Sequence, residues 1–166
     1  MKDLRLRAPE PDDANIIYIW ENSSDERHSS LRSGPVSRLM VQNFIQQYDG
    51  EIHTQGSLRF MIDCDGETVG TIDVYDYEPY NRHAFVGIYV TVNRRKEGIA
   101  SRSLKEVEKL MKRRVGLHSL VALVAEDNEA SQRLFTKAGY SPAGVLKEWI
   151  KDGERRIDAL IFQHLL

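Results

Sequence analysis

The sequence has little of what several classes of protein require. It contains one cysteine among its 166 residues, Cys64, which excludes an intrachain disulfide and a zinc site built from several cysteines. No apolar run approaches the ~20 residues of a membrane-spanning helix. The opening residues, MKDLRLRAPE, lack the apolar centre of a signal peptide. We therefore expect a cytoplasmic protein that does not associate with membranes.

Charge and short motifs exclude further classes. The formal net charge is −2 and the sequence pI is about 6.2, which argues against nucleic acid as the main partner. A dinucleotide fingerprint would need glycine where Ala100 and Ser103 stand, and neither a P-loop nor a Gly-x-Ser-x-Gly elbow is present. The five histidines have no metal-ligand spacing, so we expect no bound metal.

The apolar patterns predict a single α/β domain over residues 1–166. Strands are predicted at residues 4–7, 57–63, 68–77, 83–90, 118–126, 145–150 and 156–162, and helices in the segment from Pro11, at 36–48, at 101–114 and at 128–138. Together they predict a mixed sheet of about seven strands with helices on both faces. In the first helix Ile16, Ile19 and Trp20 recur at helical spacing, so we expect them to face the core.

The second and third predicted strands form a hairpin. Residues 64–67, CDGE, have the chemistry of a tight turn, and Cys64 is expected to lie in it. In the third strand, alternation predicts that Thr71, Asp73, Tyr75 and Tyr77 share one face.

The stretch from His83 to Ala100 predicts a binding site for a phosphate. A buried strand, HAFVGIYV, runs into the loop TVNRRKEG and then into a helix with apolar positions every three or four residues. Backbone N–H groups at a helix start have no intrahelical partner, and the helix dipole adds positive charge there. Gly98 and Ala100 would let a phosphate or pyrophosphate approach the backbone closely.

Two segments carry a resemblance to a known family. VTVNRRKEGIAS (residues 90–101) resembles the pyrophosphate loop of the GNAT family of N-acetyltransferases, and AEDNEASQRLFTKAGY (125–140) resembles its second signature. Residues 59–74 and 145–163 are most similar to bacterial spermidine-type polyamine acetyltransferases, and residues 6–22 to ribosomal-protein N-terminal acetyltransferases. The resemblance implies the acyl-CoA N-acyltransferase fold, with one mixed, mostly antiparallel sheet, and acetyl-CoA as cosubstrate.

The resemblance also implies which residues hold acetyl-CoA. The backbone of Ile88, Tyr89 and Val90 would pair with the pantetheine arm like an added strand, where β-strand edges splay apart. The backbone of Arg95, Lys96, Glu97, Gly98, Ile99 and Ala100, with Ser101, would hold the pyrophosphate. Asn128 would reach the pantetheine amide or serve only as a helix cap, while Ser131 and Phe135 would lie near the thiol. Basic residues for the 3′-phosphate would come from Arg94, Arg95 and Lys96, or from Arg133 and Lys137.

The acid–base groups of the family are not all present. Relatives place a tyrosine acid where Phe135 stands and often a glutamate where Phe85 stands, so both substitutions remove a proton-transfer group. The catalytic candidates that remain are Asp73 and Tyr75 for amine recognition or a water-relayed base, Glu126 as another base, and Tyr89 as proton donor to the sulfur. A solvated strand face or a packed aromatic explains these residues equally well.

Three functions remain open from the sequence. The first is acetylation of a small amine of polyamine or diamine type, with acidic residues such as Asp25, Glu26, Asp73, Asp76 and Glu78 receiving the cation. The second is acetylation of a protein N-terminus, whose α-amine loses its proton more easily. The third is acyl-CoA binding with little catalysis. Pairing through the C-terminal hairpin or an open sheet edge would also give a homodimer.

Overall fold

The computed structural model describes residues 3–23 and 34–166. In these ranges seven strands form one sheet in the order β1-β2-β3-β4-β5-β7-β6. The strands are β1 (Leu4–Arg7), β2 (Leu58–Cys64), β3 (Glu67–Glu78), β4 (His83–Val90), β5 (Ser119–Ala125), β6 (Ser141–Asp152) and β7 (Arg155–Leu165). The helices are α1 (Ala14–Glu21), α2 (Arg38–Gln47), α3 (Ile52–Gln55), α4 (Ile99–Leu110) and α5 (Glu129–Lys137).

The strand directions confirm the predicted sheet. Every neighbouring pair is antiparallel except β4 and β5, which run parallel. The fold is therefore a single mixed, mostly antiparallel sheet with helices on both faces.

Two apolar cores cover the two faces of the sheet. On one face, which we call the α1/α2 face, Ile17, Trp20, Val41 and Ile45 pack with Met61 of β2. On the other, the α4 face, side chains of α4 and α5 join the apolar residues of β2 to β5; they include Leu104, Val107, Phe135, Ile72, Val86 and Leu120. Burial of apolar side chains on both faces is the main stabilising contribution to such a sheet.

An ion-pair cluster holds β1 to the turn that precedes α1. Arg7 donates to both carboxylate oxygens of Asp13, at 2.6 and 2.9 Å, and through Nε to Asp63 of β2 at 2.7 Å. The backbone N–H of Glu10 also donates to Asp13, at 2.7 Å. Burial opposes ionisation of Asp13, but these hydrogen bonds outweigh it and lower the pKa of its carboxyl.

Three details differ from the sequence-based predictions. Ile19 is 53% exposed, because Ile17 and Trp20 are the residues of α1 that face the sheet. Cys64 is the last residue of β2 and fully buried, so it does not lie in the turn. Tyr77 packs with the α4-face core, because Asp76 adopts φ 50° and the strand register shifts there.

The C-terminal hairpin is longer than predicted. Its strands extend over Ser141–Asp152 and Arg155–Leu165, with a bulge between Leu146 and Ile150 where Glu148 has φ 52°. β6 is the outer strand, and Val145 and Trp149 on it are about half exposed, at 49% and 55%. A homodimer through this edge stays a prediction.

Within residues 3–23 and 34–166, no helix has the length and apolar character needed to cross a membrane.

Candidate active site

The sheet opens between β4 and β5. These two strands pair only from His83–Ser119 to Phe85–Val121. Beyond Phe85, β4 continues to Val90 while remaining paired with β3, and β5 continues while paired with β7. One backbone edge of β4 is therefore left open from residue 86 to residue 90, as a ligand that adds itself as a strand requires.

The loop after β4 leads directly into the first turn of α4. A short turn, Val92–Arg94, leads to Lys96 and Gly98, which both adopt left-handed conformations with φ 66° and 77°. The first backbone bond of α4 runs from the Arg102 N–H to the Gly98 carbonyl, at 3.1 Å. The N–H groups of residues 99–101 therefore precede the helical ladder and are suited to an anionic group.

The basic residues near this loop have different partners. Arg94 is paired with Glu67, with Glu97 at 3.3 Å and with Asp65 at 3.6 Å, so three carboxylates already neutralise it. Arg95 instead donates from Nε to the Val90 carbonyl at 2.9 Å. On α5, Arg133 bonds to Glu129 within its own helix, at 2.9 Å.

The start of α5 lies after the open part of β5. The side-chain oxygen of Asn128 accepts from the Ser131 N–H at 3.1 Å, so Asn128 caps the helix. Phe135 is 4% exposed and its ring lies edge-to-face with Tyr140, 5.0 Å between centroids. Burial raises the pKa of Tyr140, which makes this hydroxyl a poor substitute for the acid that Phe135 lacks.

Three of the four catalytic candidates lie on the α1/α2 face. The strand register places Thr71 opposite Tyr89, Asp73 opposite Gly87 and Tyr75 opposite Phe85. Because opposed residues of antiparallel strands point to the same side, Tyr89, Asp73 and Tyr75 share this face beside the opening. The ring of Trp20 from α1 meets Tyr89 edge-on at 5.3 Å.

Asp73 is bound by an arginine that the sequence analysis did not single out. Arg59 of β2 donates to both oxygens of Asp73, at 2.7 and 3.0 Å, and to Glu21 of α1 at 2.6 Å. Its guanidinium also lies 5.5 Å from the ring centroid of Phe44. Two carboxylates and one guanidinium leave this cluster with one net negative charge.

Tyr75 stacks on Phe85, with 5.7 Å between ring centroids and 23° between planes. Burial, with the nearby charges of Asp76 and Asp73, raises the pKa of Tyr75 to about 12. This phenol is therefore protonated at neutral pH and can donate a hydrogen bond, but it cannot act there as a base.

Glu126 is not brought together with these three residues. It follows β5 and contacts β7, where its backbone N–H donates to the Asp158 carbonyl at 3.0 Å and its carboxylate lies 3.5 Å from the Asp158 nitrogen. Asp158 in turn accepts from Lys147 at 2.6 Å. These contacts lie on the side of β5 away from β4.

The acidic residues predicted to receive a cation do not all fall within the described ranges. Asp25 and Glu26 lie outside the described residues. Asp76 is exposed at the bulge of β3, and Glu78 accepts the backbone N–H groups of Tyr80 and Asn81, at 3.1 and 2.5 Å. Across residues 3–23 and 34–166, no group of three or more His, Cys, Asp or Glu side chains is arranged to hold a metal ion.

Comparison with known proteins identifies the family. The acetyltransferase (GNAT) domain matches residues 3–141. The chain belongs to the GNAT acetyltransferase family. Its class of activity is therefore acetyl-CoA-dependent N-acetyl transfer.

Relatives of this GNAT protein act on different amines. It is 30% identical to the spermidine N(1)-acetyltransferase of Escherichia coli K12 over 164 residues, 97% of this chain and 87% of that one. It shares its fold with RimL, a ribosomal-protein alpha-N acetyltransferase solved with coenzyme A, at TM-score 0.87 and 19% identity, covering 98% and 94%. A Vibrio cholerae spermidine N-acetyltransferase with CoA and spermine matches at TM-score 0.84 and 21% identity, covering 98% and 95%.

The candidate site includes residues that the sequence-based analysis did not find. Arg59 stands in the largely apolar strand LRFMIDC of β2. A charged side chain within that strand was the only feature of the sequence that could have singled it out. The sequence-based analysis did not single out Gly70, because the requirement for glycine there comes from a neighbouring strand. A Cβ at this position would overlap the carbonyl oxygen of Tyr89. Trp20 was predicted to be buried, but not to lie against Tyr89.

Proposed function

We propose that this GNAT enzyme transfers the acetyl group of acetyl-CoA to a primary amine of a polyamine or diamine such as spermidine. The opening between β4 and β5 is the observation that carries the proposal, because it presents an open strand edge beside a helix start suited to phosphate. The 30% identity to a spermidine acetyltransferase over 97% of the chain supports the choice of acceptor.

In this proposal the cosubstrate lies along β4 and across the start of α4. The backbone of Ile88, Tyr89 and Val90 receives the pantetheine arm as an added strand. The segment 95–101 surrounds the pyrophosphate, and the amide nitrogen of Asn128 serves a cofactor carbonyl while its oxygen caps α5. Ser131 and Phe135 flank the thiol end, which acetyl-CoA supplies as an activated thioester.

The amine would approach from the α1/α2 face, where Tyr89, Asp73 and Tyr75 lie. Its nitrogen attacks the thioester carbonyl carbon, and a backbone N–H on the open edge of β4 stabilises the charge that develops on the oxygen. The C–S bond then breaks, the sulfur takes a proton from the Tyr89 phenol or from water, and the acetylated nitrogen releases its proton to solvent.

Removal of the ammonium proton is the larger demand on the site. An alkyl ammonium with pKa about 10.4 is about 3.4 units from neutrality at pH 7, or roughly 4.6 kcal/mol. A thiol with pKa about 8.5 is about 1.5 units away, or roughly 2 kcal/mol. Because both oxygens of Asp73 accept from Arg59, we infer that water carries the amine's proton away and that Asp73 contributes negative charge.

Acetylation of a protein N-terminus is the second candidate, and the same ion pair favours it. An α-amine with pKa about 7.8 is only about 1 kcal/mol from neutrality at pH 7, so a site whose Asp73 is already bonded to Arg59 serves it well. The fold shared with RimL is compatible with this acceptor, but at 19% identity it supports the fold alone.

Thiol release from acetyl-CoA tests the proposal. The purified protein is assayed with spermidine, with putrescine and with short peptides that have a free N-terminus, using N-acetylated peptides as the blank. We expect release with the polyamine or the diamine and none with peptides. Release with peptides alone would assign the second candidate, and coenzyme A binding without release would assign a binding protein with little catalysis.

A further inference from the structure

A row of paired residues crosses the α1/α2 face from β2 to the open edge of β4. Arg59 lies opposite Asp73, and Asp73 lies opposite Gly87. On β4 the residues that share this face with Gly87 are aromatic on both sides of it, Phe85 before it and Tyr89 after it. The row therefore begins with charged side chains and ends, at the opening, without a side chain.

The space over Gly87 is open and is bounded by aromatic rings. Apart from its chain neighbours, a Cβ built there would have one atom of the described residues within 4 Å, Cε1 of Tyr75 at 3.7 Å. The Tyr75 ring is stacked on Phe85, and on the other side of Gly87 the Tyr89 ring meets Trp20 edge-on. Gly87 thus leaves a gap between two aromatic pairs.

This gap lies where the pairing of β4 with β5 ends. The two strands pair as far as Phe85, so Gly87 is the first residue of this face that stands beside the opening. With the pyrophosphate at residues 95–101 and the pantetheine arm along residues 88–90, the thioester comes at the other end of the arm, beside residues 86 and 87. No side chain of β4 then stands between Asp73 and the thioester.

The distance across β4 suits a short extended ligand. Neighbouring strands lie about 4.8 Å apart, so the backbone of β3 at Asp73 is about 10 Å from an arm added to the open edge of β4. A carboxylate side chain and an extended aliphatic diamine can bridge this distance together.

We propose that Gly87 is a specificity-determining residue, whose missing side chain lets the unbranched chain of a diammonium acceptor lie across β4 between the two aromatic pairs. One nitrogen reaches the thioester. The other, as an ammonium, lies near Asp73 and Glu21, whose two carboxylates share the guanidinium of Arg59. Aromatic rings suit both the methylene groups and the cation. The inference rests on the proposed function, because it needs an amine and a thioester that meet at this edge.

Variants at Gly87 test the proposal. An added Cβ makes an ordinary van der Waals contact with the Tyr75 ring, so we expect Gly87→Ala to keep the Tm and the Kd for coenzyme A of wild type. Its kcat/KM for putrescine should nevertheless fall about 10-fold, and that of Gly87→Val about 100-fold.

Gly144→Ala and Gly144→Val are the matched controls. Gly144 is an exposed strand glycine of β6, and a Cβ there would likewise have one neighbouring atom, Cδ1 of Ile161 at 3.6 Å. Both control variants should have the kcat/KM of wild type for putrescine.

Butylamine tests the role of the second nitrogen, because it has the same carbon chain as putrescine but one ammonium. We expect wild type to prefer putrescine about 5-fold in kcat/KM, as one ion pair near the surface would give. Gly87→Ala should lower kcat/KM for both amines by the same factor, since both chains occupy the gap.

The results that contradict this inference differ from those that contradict the proposed function. Thiol release by wild type that Gly87→Val does not reduce, or equal use of butylamine and putrescine, would overturn the inference and leave the proposed function standing. No release by wild type with any diamine or polyamine would overturn the proposed function and, with it, the diammonium occupant of the gap.

Discussion

Gly70 lies where the backbone of β3 comes too close to the end of β4 for any side chain to fit. Its φ is not in the left-handed region, so the reason for glycine is space. A Cβ would overlap the Tyr89 carbonyl oxygen and lie 3.1 Å from its carbon and from the Cα of Val90. These are backbone atoms, which cannot turn aside as a flexible side chain would.

We therefore predict that Gly70→Ala displaces the end of β4. Overpacking of this kind costs about 1–3 kcal/mol of unfolding free energy, and the affinity for acetyl-CoA should fall with it. Chemical denaturation and calorimetric titration measure the two effects. Gly34→Ala is the matched control, because a Cβ at Gly34 would have no atom of the described residues within 4 Å. Equal behaviour of the two variants would contradict the prediction.

Arg59 neutralises half of the negative charge of the cluster that it forms with Asp73 and Glu21. We predict that Arg59→Gln lowers the KM for spermidine, because Asp73 and Glu21 would then attract the cation unopposed. The variant should also lose about 2 kcal/mol of stability, since one partner of a partly buried ion pair is removed. Steady-state kinetics and thermal unfolding measure both effects.

Arg38→Gln serves as the control for this prediction, because Arg38 is an exposed guanidinium 4.3 Å from the Tyr18 ring centroid. A KM for spermidine that rises in Arg59→Gln would show that the arginine itself takes part in binding the amine.

The hydrogen bonds between Asp73 and Arg59 and the raised pKa of Tyr75 predict the pH profile. If water removes the ammonium proton, kcat/KM for spermidine rises about tenfold per pH unit above pH 7 and levels off near the amine's pKa of about 10.4. Tyr75, with its pKa raised to about 12, stays protonated over that range, so its titration does not change the profile of kcat/KM against pH. Tyr75→Phe should therefore keep the shape of the profile, whereas a rate already constant at pH 7 would reveal a strong base.

At the scale of elements, the Arg7–Asp13 cluster joins β1, β2 and the turn before α1. Because the folded-state pKa of Asp13 is lowered, the carboxylate stabilises the fold above its unfolded pKa of about 3.9, and this contribution is lost as the pH falls through the folded pKa. We predict that Asp13→Asn loses about 1–3 kcal/mol at pH 7.

Denaturation of Asp13→Asn and wild type across a pH series checks this prediction, and the two stabilities should converge in acid. Asp12→Asn is the control, because Asp12 is exposed and adjacent. A stability difference that persists below both pKa values would show that packing, and not charge, is responsible.

The positions of the strands and helices were largely predictable from the sequence, but the register between neighbouring strands was not. Apolar periodicity located all seven strands, and the Asp65-Gly66 pair identified the hairpin turn. Counting back from that turn would place Arg59 opposite Ile72. The register shift between Ile62 and Asp63 places it opposite Asp73 instead. A bulge depends on tertiary packing, so the ion pair between Arg59 and Asp73 could not be predicted from local pattern.

The candidate site was likewise predictable from the sequence only in part. The loop and helix start around Gly98 follow from local pattern, and the structure has them where they were predicted. The predicted opening beside β4 is also present. The surroundings of Asp73 and Tyr89 depend on side chains from three other elements, which no local pattern brings together. Their proposed catalytic roles stay predictions.

At the scale of the whole molecule, the opening between β4 and β5 is a gap in an otherwise continuous sheet. A cosubstrate arm that fills it should join the two halves, so we predict that acetyl-CoA at 100 times its Kd adds about 2.7 kcal/mol of stability and raises Tm by about 5 to 10 °C. Thermal unfolding with and without the ligand measures this. Spermidine alone should have a much smaller effect, and an equal shift from spermidine would contradict the prediction.

The order of strands in the sheet also has a consequence for folding. β6 is made before β7, yet β7 lies between it and the rest of the sheet, and β6 pairs with no other strand in the described structure. After synthesis, β6 therefore has no partner in the sheet until β7 has paired with β5. An intermediate that has not yet placed β7 would leave the backbone edge of β6 unpaired, and an unpaired strand edge makes a folding intermediate prone to aggregation.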